Sequence, residues 1–382
     1  MNESESMAGI YIHIPFCKQK CSYCDFFSVA NMKQRDRVVH AIAKELFLRK
    51  DYLATKQIDT IYFGGGTPSL LNEADFSVLF HALQQSFDLS SAQEVTLEAN
   101  PDDLCESYVQ MLRNFPFNRL SIGLQTSNDN TLNLFKRRGC FRNSLDAIRI
   151  AKEAGYDNIS LDLIYGWPGE TIDDLNKDLN ALIDLRPQHV SAYHLSYEEN
   201  TSLYNKVKRG VLCPIDESMS VTMYHSIVEQ LNEAGIQQYE ISNFALPGYE
   251  SKHNSSYWRS VPYLGVGPSA HSFNLTSRSW NPRDISSYVE SMENNTTCIS
   301  TEVLTPNEQY NDFVMTRLRT IRGIDLEELE KIHGKTLSDY CLSAAVPYLK
   351  RTVVIIENGC LRLTQEGVFV SDSIISDLLA VD

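Results

Sequence analysis

The chain passes six times, within its first 195 residues, from a short apolar run to a stretch of helical period, and this alternation limits its fold more than any other feature. The strand-like runs are IYIHI (10–14), IDTIYF (58–63), EVTLEA (94–99), NRLSIGL (118–124), NISLDLIY (158–165) and HVSAYHL (189–195). Between them, Val38, Val39, Ile42, Ala43 and Leu46 are spaced to form one buried helix face, and further helices are expected over 76–87, 103–114, 145–154 and 172–183. Strand followed by helix, repeated, implies parallel strands joined by right-handed crossovers. Six units fall short of the eight that close a barrel, so the expected fold is α/β, a partial (β/α)6 barrel with an open side wide enough for a large ligand.

The pattern changes after about residue 197. A helix is expected over 218–234, a strand at QQYEIS (237–242), and then a stretch rich in Gly, Pro, Asn and Ser from 243 to 283. From about 301 the chain becomes mainly helical and ends in a hairpin, TVVIIENGCLRLT (352–364), turned by Asn358-Gly359. The expected division is a disordered tail (1–8), the barrel (9–240), a connecting region (241–300) and a helical, winged-helix-like domain (301–382).

Charge narrows the partners. With 34 basic and 49 acidic residues the net charge is −15, which opposes the phosphate neutralisation that nucleic-acid binding requires. In 330–365 the basic positions Lys331, Lys335, Lys350, Arg351 and Arg362 are scattered and partly offset by Glu330, Asp339 and Glu357, so a DNA-binding role for the C-terminal module is disfavoured. No run of about 18 apolar residues is present, and the first ten residues lack the basic start and apolar stretch of a secretory signal, so a cytoplasmic location is expected.

Of nine cysteines, six are scattered and three fall within eight residues: Cys17, Cys21 and Cys24. In a reducing compartment such thiols read as metal ligands rather than disulfides. Their loop follows the first strand, where sheets of this kind place functional residues; GGGTP follows the second, Glu98 ends the third, Gln125 ends the fourth and Asp162 lies near the end of the fifth. A [4Fe–4S] cluster held by only three thiolates leaves one iron open to a chelating ligand. A zinc site completed by a histidine is the competing reading, with His13 the only imidazole near in sequence.

The cysteine spacing, with Tyr23 just before the last thiol, resembles the Cx3CxΦC loop of the radical S-adenosylmethionine superfamily. YIHIPFCKQKCSYCDF, FGGGTPSLL, EANP, RLSIGLQ, LDLIYGWPGET and HNSSYW together resemble the branch that holds the oxygen-independent coproporphyrinogen III oxidases and the haem chaperones of the HemW type, over roughly residues 9–275. The resemblance implies a [4Fe–4S] cluster on Cys17, Cys21 and Cys24, with S-adenosylmethionine chelated at the open iron for reductive cleavage. It implies that Tyr11, Gly65 and Glu98 line that cofactor, and that Gly66, Thr67, Gln125, Arg137 and Asp162 line a second S-adenosylmethionine. Carboxylates suit ribose hydroxyls or an ammonium group, and Arg137 suits a carboxylate. One position departs from the pattern: where the family often carries a histidine two residues after the arginine, this chain has Gly139.

Read by itself, His253-Asn254-Ser255-Ser256-Tyr257-Trp258 is a loop with one histidine. The resemblance makes it the haem-associated string of the chaperones, with His253, Tyr257 and Trp258 as haem contacts and His271, in GPSAHSF, as a rival imidazole. Two features separate chaperone from oxidase. The oxidases resemble CxxxCxxCxC, but the fourth cysteine position is Phe26 here, and the sixteen residues before Cys17 are fewer than the oxidases' N-terminal extension. The resemblance therefore implies a haem chaperone without coproporphyrinogen oxidase activity, carrying haem as cargo to haem-requiring proteins such as respiratory enzymes. It leaves room for a homodimer and for peripheral membrane association through an acceptor. Oxidative decarboxylation of coproporphyrinogen III in porphyrin biosynthesis is the alternative.

Overall fold

The computed structural model describes residues 7–381. Strands β1 (Gly9–Ile14), β2 (Thr60–Gly65), β3 (Glu94–Ala99), β4 (Arg119–Gln125), β5 (Ile159–Tyr165) and β6 (His189–His194) run parallel, side by side in chain order. Helices α1 (Arg35–Leu48), α2 (Glu73–Ser86), α3 (Glu106–Leu112), α4 (Asp129–Leu134), α5 (Phe141–Glu153) and α6 (Ile172–Asp184) fill the crossovers. The partial barrel expected from the alternation is present and remains open. Each of the six predicted barrel strands lies within two residues of an observed one, while the strand expected over 237–242 is confined to Gln237–Gln238. Helix α4 was not anticipated, and α3 is shorter than expected because Pro101–Asp103 form a separate 3-10 turn.

Parallel strands covered on both faces usually read as unbroken apolar runs. These alternate instead. Ile10, Ile12 and Ile14 of β1, Val95 and Leu97 of β3, Leu120, Ile122 and Leu124 of β4, and Leu161 and Leu163 of β5 are buried against the helices. The intervening positions, Tyr11 and His13, Glu98, Arg119 and Ser121, and Asp162, face the hollow of the barrel. One face is packed core, at roughly 1.5–3 kcal/mol for each large side chain fully buried; the other is a polar cavity wall. Phe63 of β2 anchors the core side, with its ring centroid 5.2–5.9 Å from those of Phe76, Phe80 and Phe117.

Beyond β6 come α7 (Ser202–Lys208), α8 (Glu217–Glu233), β7 (Gln237–Gln238) and β8 (Asn243–Ala245), the last antiparallel to β6. The 241–300 stretch, expected as a connecting region, is built into the sheet. After α9 (Lys252–Trp258), strand β9 (Tyr263–Val266) pairs parallel to β1, and β10 (His271–Phe273) and β11 (Ser277–Trp280) extend the sheet antiparallel. Helix α10 (Ile285–Glu293) and edge strand β12 (Ser300–Val303) follow, giving a single twelve-stranded sheet. A buried network secures this extension: Glu45 of α1 pairs with Arg49 (3.1 Å) and accepts from Asn281 (2.8 Å) and Tyr288 (2.7 Å).

The C-terminal unit has its own core, around Tyr310, Phe313, Leu329, Cys341 and Leu361. Helix α11 (Pro306–Arg317) opens with a capping box in which Thr305 and Glu308 satisfy each other's backbone N–H groups. Then come β13 (Ile324–Asp325), α12 (Leu326–His333), α13 (Lys335–Lys350), β14 (Val354–Glu357), β15 (Cys360–Leu363), α14 (Gln365–Val368) and α15 (Ser371–Leu378). The hairpin β14–β15 turns at Asn358-Gly359 with φ of 51° and 79°, as a tight right-twisted turn requires. Helices around a small antiparallel sheet match the expected winged-helix-like arrangement. Residues 1–6 of the expected tail lie outside the described residues; Ala8 is buried, and its N–H donates to Asp59 at 2.9 Å. Among the described residues no helix is long and apolar enough to cross a membrane.

Candidate functional site: one cavity at the strand ends

The open barrel encloses a cavity of about 840 Å³, near the upper end of ordinary small-molecule sites. Its wall includes Cys17, Cys21, Cys24, Tyr11, Gly65, Gly66, Thr67, Glu98, Gln125, Arg137, Asp162 and Tyr257, so twelve of the fourteen residues singled out in the sequence meet in one place. His253 and Trp258 are the two that do not.

The cysteine loop leaves β1 and is pinned at both ends. The Cys17 N–H donates to the Val29 carbonyl (3.1 Å) and the Ser22 N–H to the Phe135 carbonyl (2.9 Å), while Cys24 N–H to Cys21 O (3.3 Å) closes a turn. All three thiols are free. Arg137, just after α4, places Nη1 4.0 Å from Cys21 Sγ and donates from Nη2 to the Gly123 carbonyl at 2.7 Å. Burial pushes the Cys24 thiol up, so its thiolate needs a cation nearby, which a metal centre supplies. Among the described residues no three His, Cys, Asp or Glu side chains are gathered at the spacing of a single-ion site. Three thiols on one loop that line the cavity fit a [4Fe–4S] cluster with one open iron.

The glycine run after β2 brings backbone against the loop. A Cβ on Gly66 would lie 2.5 Å from the Phe16 carbonyl oxygen and 2.8 Å from that of Ile14, so only glycine lets the two segments pass. Glu98 accepts from the Gly65 N–H (3.1 Å) and from the Tyr62 hydroxyl (2.8 Å). Burial raises the Glu98 carboxyl to about 7, partly opposed by the Tyr62 hydrogen bond. Burial likewise lifts Asp162 to about 6, against hydrogen bonds from Ser191 and Ser121, the latter at 3.2 Å. Gln125 closes β4 with φ of 73° at the cavity edge. Such carboxylates gain most from a ligand that brings donors or positive charge, as an ammonium or sulfonium group does.

The HNSSYW string is helix α9 rather than a loop. Buried Glu94 explains this, because its carboxylate accepts the N–H groups of Lys252 (2.8 Å) and His253 (2.9 Å) at the helix start. His253 is 1% exposed, and both ring nitrogens are engaged, Nδ1 with Thr60 Oγ1 and Nε2 with the Tyr257 hydroxyl, each at 2.8 Å. Its ring stacks on Tyr62 at 5.1 Å, and burial pulls its pKa down to about 3. His253, expected as a haem contact, sits behind the cavity wall with both ring nitrogens hydrogen-bonded. Trp258 is also turned away, toward the C-terminal unit, where Arg319 lies over its ring at 5.5 Å and Arg317 donates to its carbonyl. Only Tyr257 of the three reaches the cavity.

Several wall residues escaped the sequence reading: Tyr62, Arg119, Ser191, Tyr193, Asn254 and Arg283. The strand members among them stand at inward positions of the two-residue period, a signal that was available. Arg119 is 1% exposed, and its buried Nε and Nη1 have no hydrogen-bond partner among the described residues.

Residues 11–182 match the Radical SAM superfamily, and residues 304–370 match the HemN C-terminal domain. The heme chaperone HemW of Lactococcus lactis subsp. lactis is 33% identical over 337 residues, 86% of this chain and 88% of that protein. The heme chaperone HemW of Bacillus subtilis is 32% identical over 379 residues, 98% of this chain and 99% of that one. The solved coproporphyrinogen III oxidase HemN from Escherichia coli superposes with a TM-score of 0.86, covering 99% of this chain and 91% of its own at 22% identity, which shows a shared fold. With similarity to HemW along almost the whole chain, the superfamily match across the strands that build the cavity and the HemN-type C-terminal unit behind it, the chain belongs to the family of the heme chaperone HemW, within the radical SAM superfamily.

Proposed function

We propose that this protein is a haem chaperone: it holds a [4Fe–4S] cluster on Cys17, Cys21 and Cys24, binds S-adenosylmethionine beside it, takes up haem in the same cavity and delivers it to haem-requiring proteins. The observation that carries the reading is the convergence of the three thiols and the eight cofactor-associated residues on one cavity with an open mouth. When bound, the cluster with S-adenosylmethionine supplies one-electron reducing chemistry. The chain's own residues bind and orient. Tyr11, Gly65 and Glu98 face the cofactor at the open iron; Gly66, Thr67, Gln125, Arg137 and Asp162 form the wall toward a second one. Arg137 neutralises charge beside Cys21, and Glu98, whose pKa lies near 7, is poised to accept a donor from the ligand.

The cavity lining joins the cysteine loop to Tyr257 and Tyr263, whose aromatic rings suit a flat, largely apolar cargo. Nine free thiols support a reducing compartment, and we place haem loading in the cytoplasm, with membrane-bound acceptors reached through their own soluble faces. Phe26, in the place of the oxidases' fourth cysteine, supports delivery over porphyrinogen decarboxylation. The test is anaerobic reconstitution with iron and sulfide, followed by haem titration, transfer to a haem-free acceptor, and product analysis with reductant, S-adenosylmethionine and coproporphyrinogen III. Tight haem uptake and transfer without protoporphyrinogen is the expected result. Catalytic appearance of protoporphyrinogen overturns the chaperone reading.

A further inference from the structure

Beside the cavity, outside its wall, the aspartate pair that follows β3 holds three segments together. The Asp103 side chain is 4% exposed, and its carboxylate is shared among all three. Oδ1 accepts from Lys18 Nζ of the cysteine loop at 2.9 Å, and Oδ2 accepts from Ser69 Oγ, just past the glycine run, at 3.0 Å. The guanidinium of Arg138, next to Arg137, pairs with the same Oδ2 at 2.7 Å. Ser69 Oγ in turn accepts the Asn100 N–H at 3.1 Å, which returns the network to the end of β3. None of Asp103, Lys18, Ser69 and Arg138 lines the cavity, so their part is support rather than contact.

The cysteine loop also leans on the Arg137 segment directly. Gln19 Nε2 donates to the Lys136 carbonyl at 2.9 Å, and the Ser22 hydroxyl donates to the Phe135 carbonyl at 3.1 Å. Asp102 fastens the same segment from its far side, accepting from Arg138 Nε at 3.3 Å and from Asn143 Nδ2 of α5 at 2.7 Å. Gly139 has φ of 83°, and a Cβ there would lie 2.3 Å from Asp102 Oδ2, so the position that departs from the family pattern is what lets Asp102 approach. The partners of Asp103 are unequal. Lys18 is 57% exposed, and such a pair is weakened by solvent. The carboxylate itself is buried, and a change there strands every group that it serves.

We propose that Asp103 is a positioning residue for the cluster site: it fixes the cysteine loop, the glycine-run loop and the Arg137 segment to one another before any ligand arrives. Ordering a slack loop around a ligand costs conformational entropy. A loop already tied at Lys18 meets less of that cost, and the tie at Arg138 keeps its neighbour Arg137 beside Cys21. The inference rests on the cluster part of the haem-chaperone reading and adds to it the group that preorganises the thiols.

The test begins with the cluster-free full chain and the rate at which iodoacetamide alkylates each thiol, followed by peptide mass spectrometry. Wild type, Asp103→Asn, Lys18→Ala and Lys18→Arg are compared. Exposed Cys213 reports the reagent, and Cys341, buried in the C-terminal core, reports global unfolding. Cys17 and Cys21 are expected to react about ten-fold faster in Asp103→Asn, because losing a charge-assisted bond raises the open population of the loop. Lys18→Ala speeds them by a smaller factor, Lys18→Arg keeps the wild-type rates, and Cys213 and Cys341 do not change. The two charge changes have opposite sign, so a purely electrostatic effect on the thiolates would drive Asp103→Asn and Lys18→Ala in opposite directions. Opposite directions, unchanged rates at Cys17 and Cys21, or a matching rise at Cys341 each overturns the inference. A second arm follows the visible absorbance of the reconstituted chain against an iron chelator. Cluster loss is expected to be several-fold faster in Asp103→Asn, and equal lifetimes overturn the positioning role. Failure of the wild type to assemble a cluster sinks the cluster reading instead, and the alkylation rates still decide whether Asp103 ties the loop.

Discussion

The cysteine loop after β1 and the helix α9 carry the two most distinctive strings of the sequence, and they use their residues in opposite ways. The loop turns all three thiols into the cavity while its backbone is held by hydrogen bonds from outside the site. Helix α9 turns its histidine into the wall, spends both ring nitrogens on Thr60 and Tyr257, and sends its tryptophan toward the C-terminal unit. A loop at a strand end is free to present side chains because little core depends on it. A short helix wedged between a sheet and a neighbouring unit must first satisfy its own packing. A distinctive string can thus mark a ligand site in one region and the scaffold of a site in another.

The comparison breaks most visibly with Cys21→Ala. Iron and sulfide content after reconstitution is expected to fall to background, while urea unfolding of the cluster-free chain moves by less than about 1 kcal/mol. His253→Ala is expected to do the reverse. Losing a fully buried ring leaves a cavity and two unpaired hydroxyls, at a cost of about 2–4 kcal/mol, with the cluster still assembling. Equal loss of stability in both variants would mean that the cysteine loop is as structural as α9.

Most of the fold was legible because one period governs it. Ile10, Ile12 and Ile14 announce a strand and also say which face meets the helices. The cysteine, glycine and acidic positions were legible because chain order alone puts strand ends together. Helix α9 was not. Its start depends on Glu94, 159 residues away from His253, a long-range contact that local propensity cannot register. Arg119 escaped because a buried cation in a strand has no local signature, and β9 to β11 because the Gly, Pro and Ser content of 243–283 masks strands whose pairing is set by β1 and Arg49.

Acid titration sharpens the contrast between cavity wall and scaffold. Glu98 titrates near 7 in the folded chain against an ordinary value of 4.5, so the native state holds the extra proton between these pH values. Its contribution is fully present below about pH 4.5 and is lost as pH rises through 7, about 3 kcal/mol in all. His253 works the other way: its folded pKa near 3 against 6.5 means stability is lost as pH falls from 6.5 toward 3. Glu98→Gln is expected to flatten the fall in stability between pH 4.5 and 7 in the ligand-free chain, measured by urea unfolding across that range. An unchanged slope would place Glu98 among solvated carboxylates.

The smallest effect tests the wall most directly. Tyr257→Phe removes only the hydroxyl that meets His253 Nε2 and keeps the ring against Tyr263 and the cavity. The expected cost is about 1 kcal/mol, the worth of one buried hydrogen bond whose remaining partner is left unsatisfied. Because the aromatic face survives, haem affinity should change little. Combining Tyr257→Phe with His253→Ala completes a double-mutant cycle, and the Tyr257 change should then cost close to nothing. Additive costs would mean that Tyr257 and His253 act separately, and that the hydroxyl serves a ligand in the cavity instead of the helix behind it.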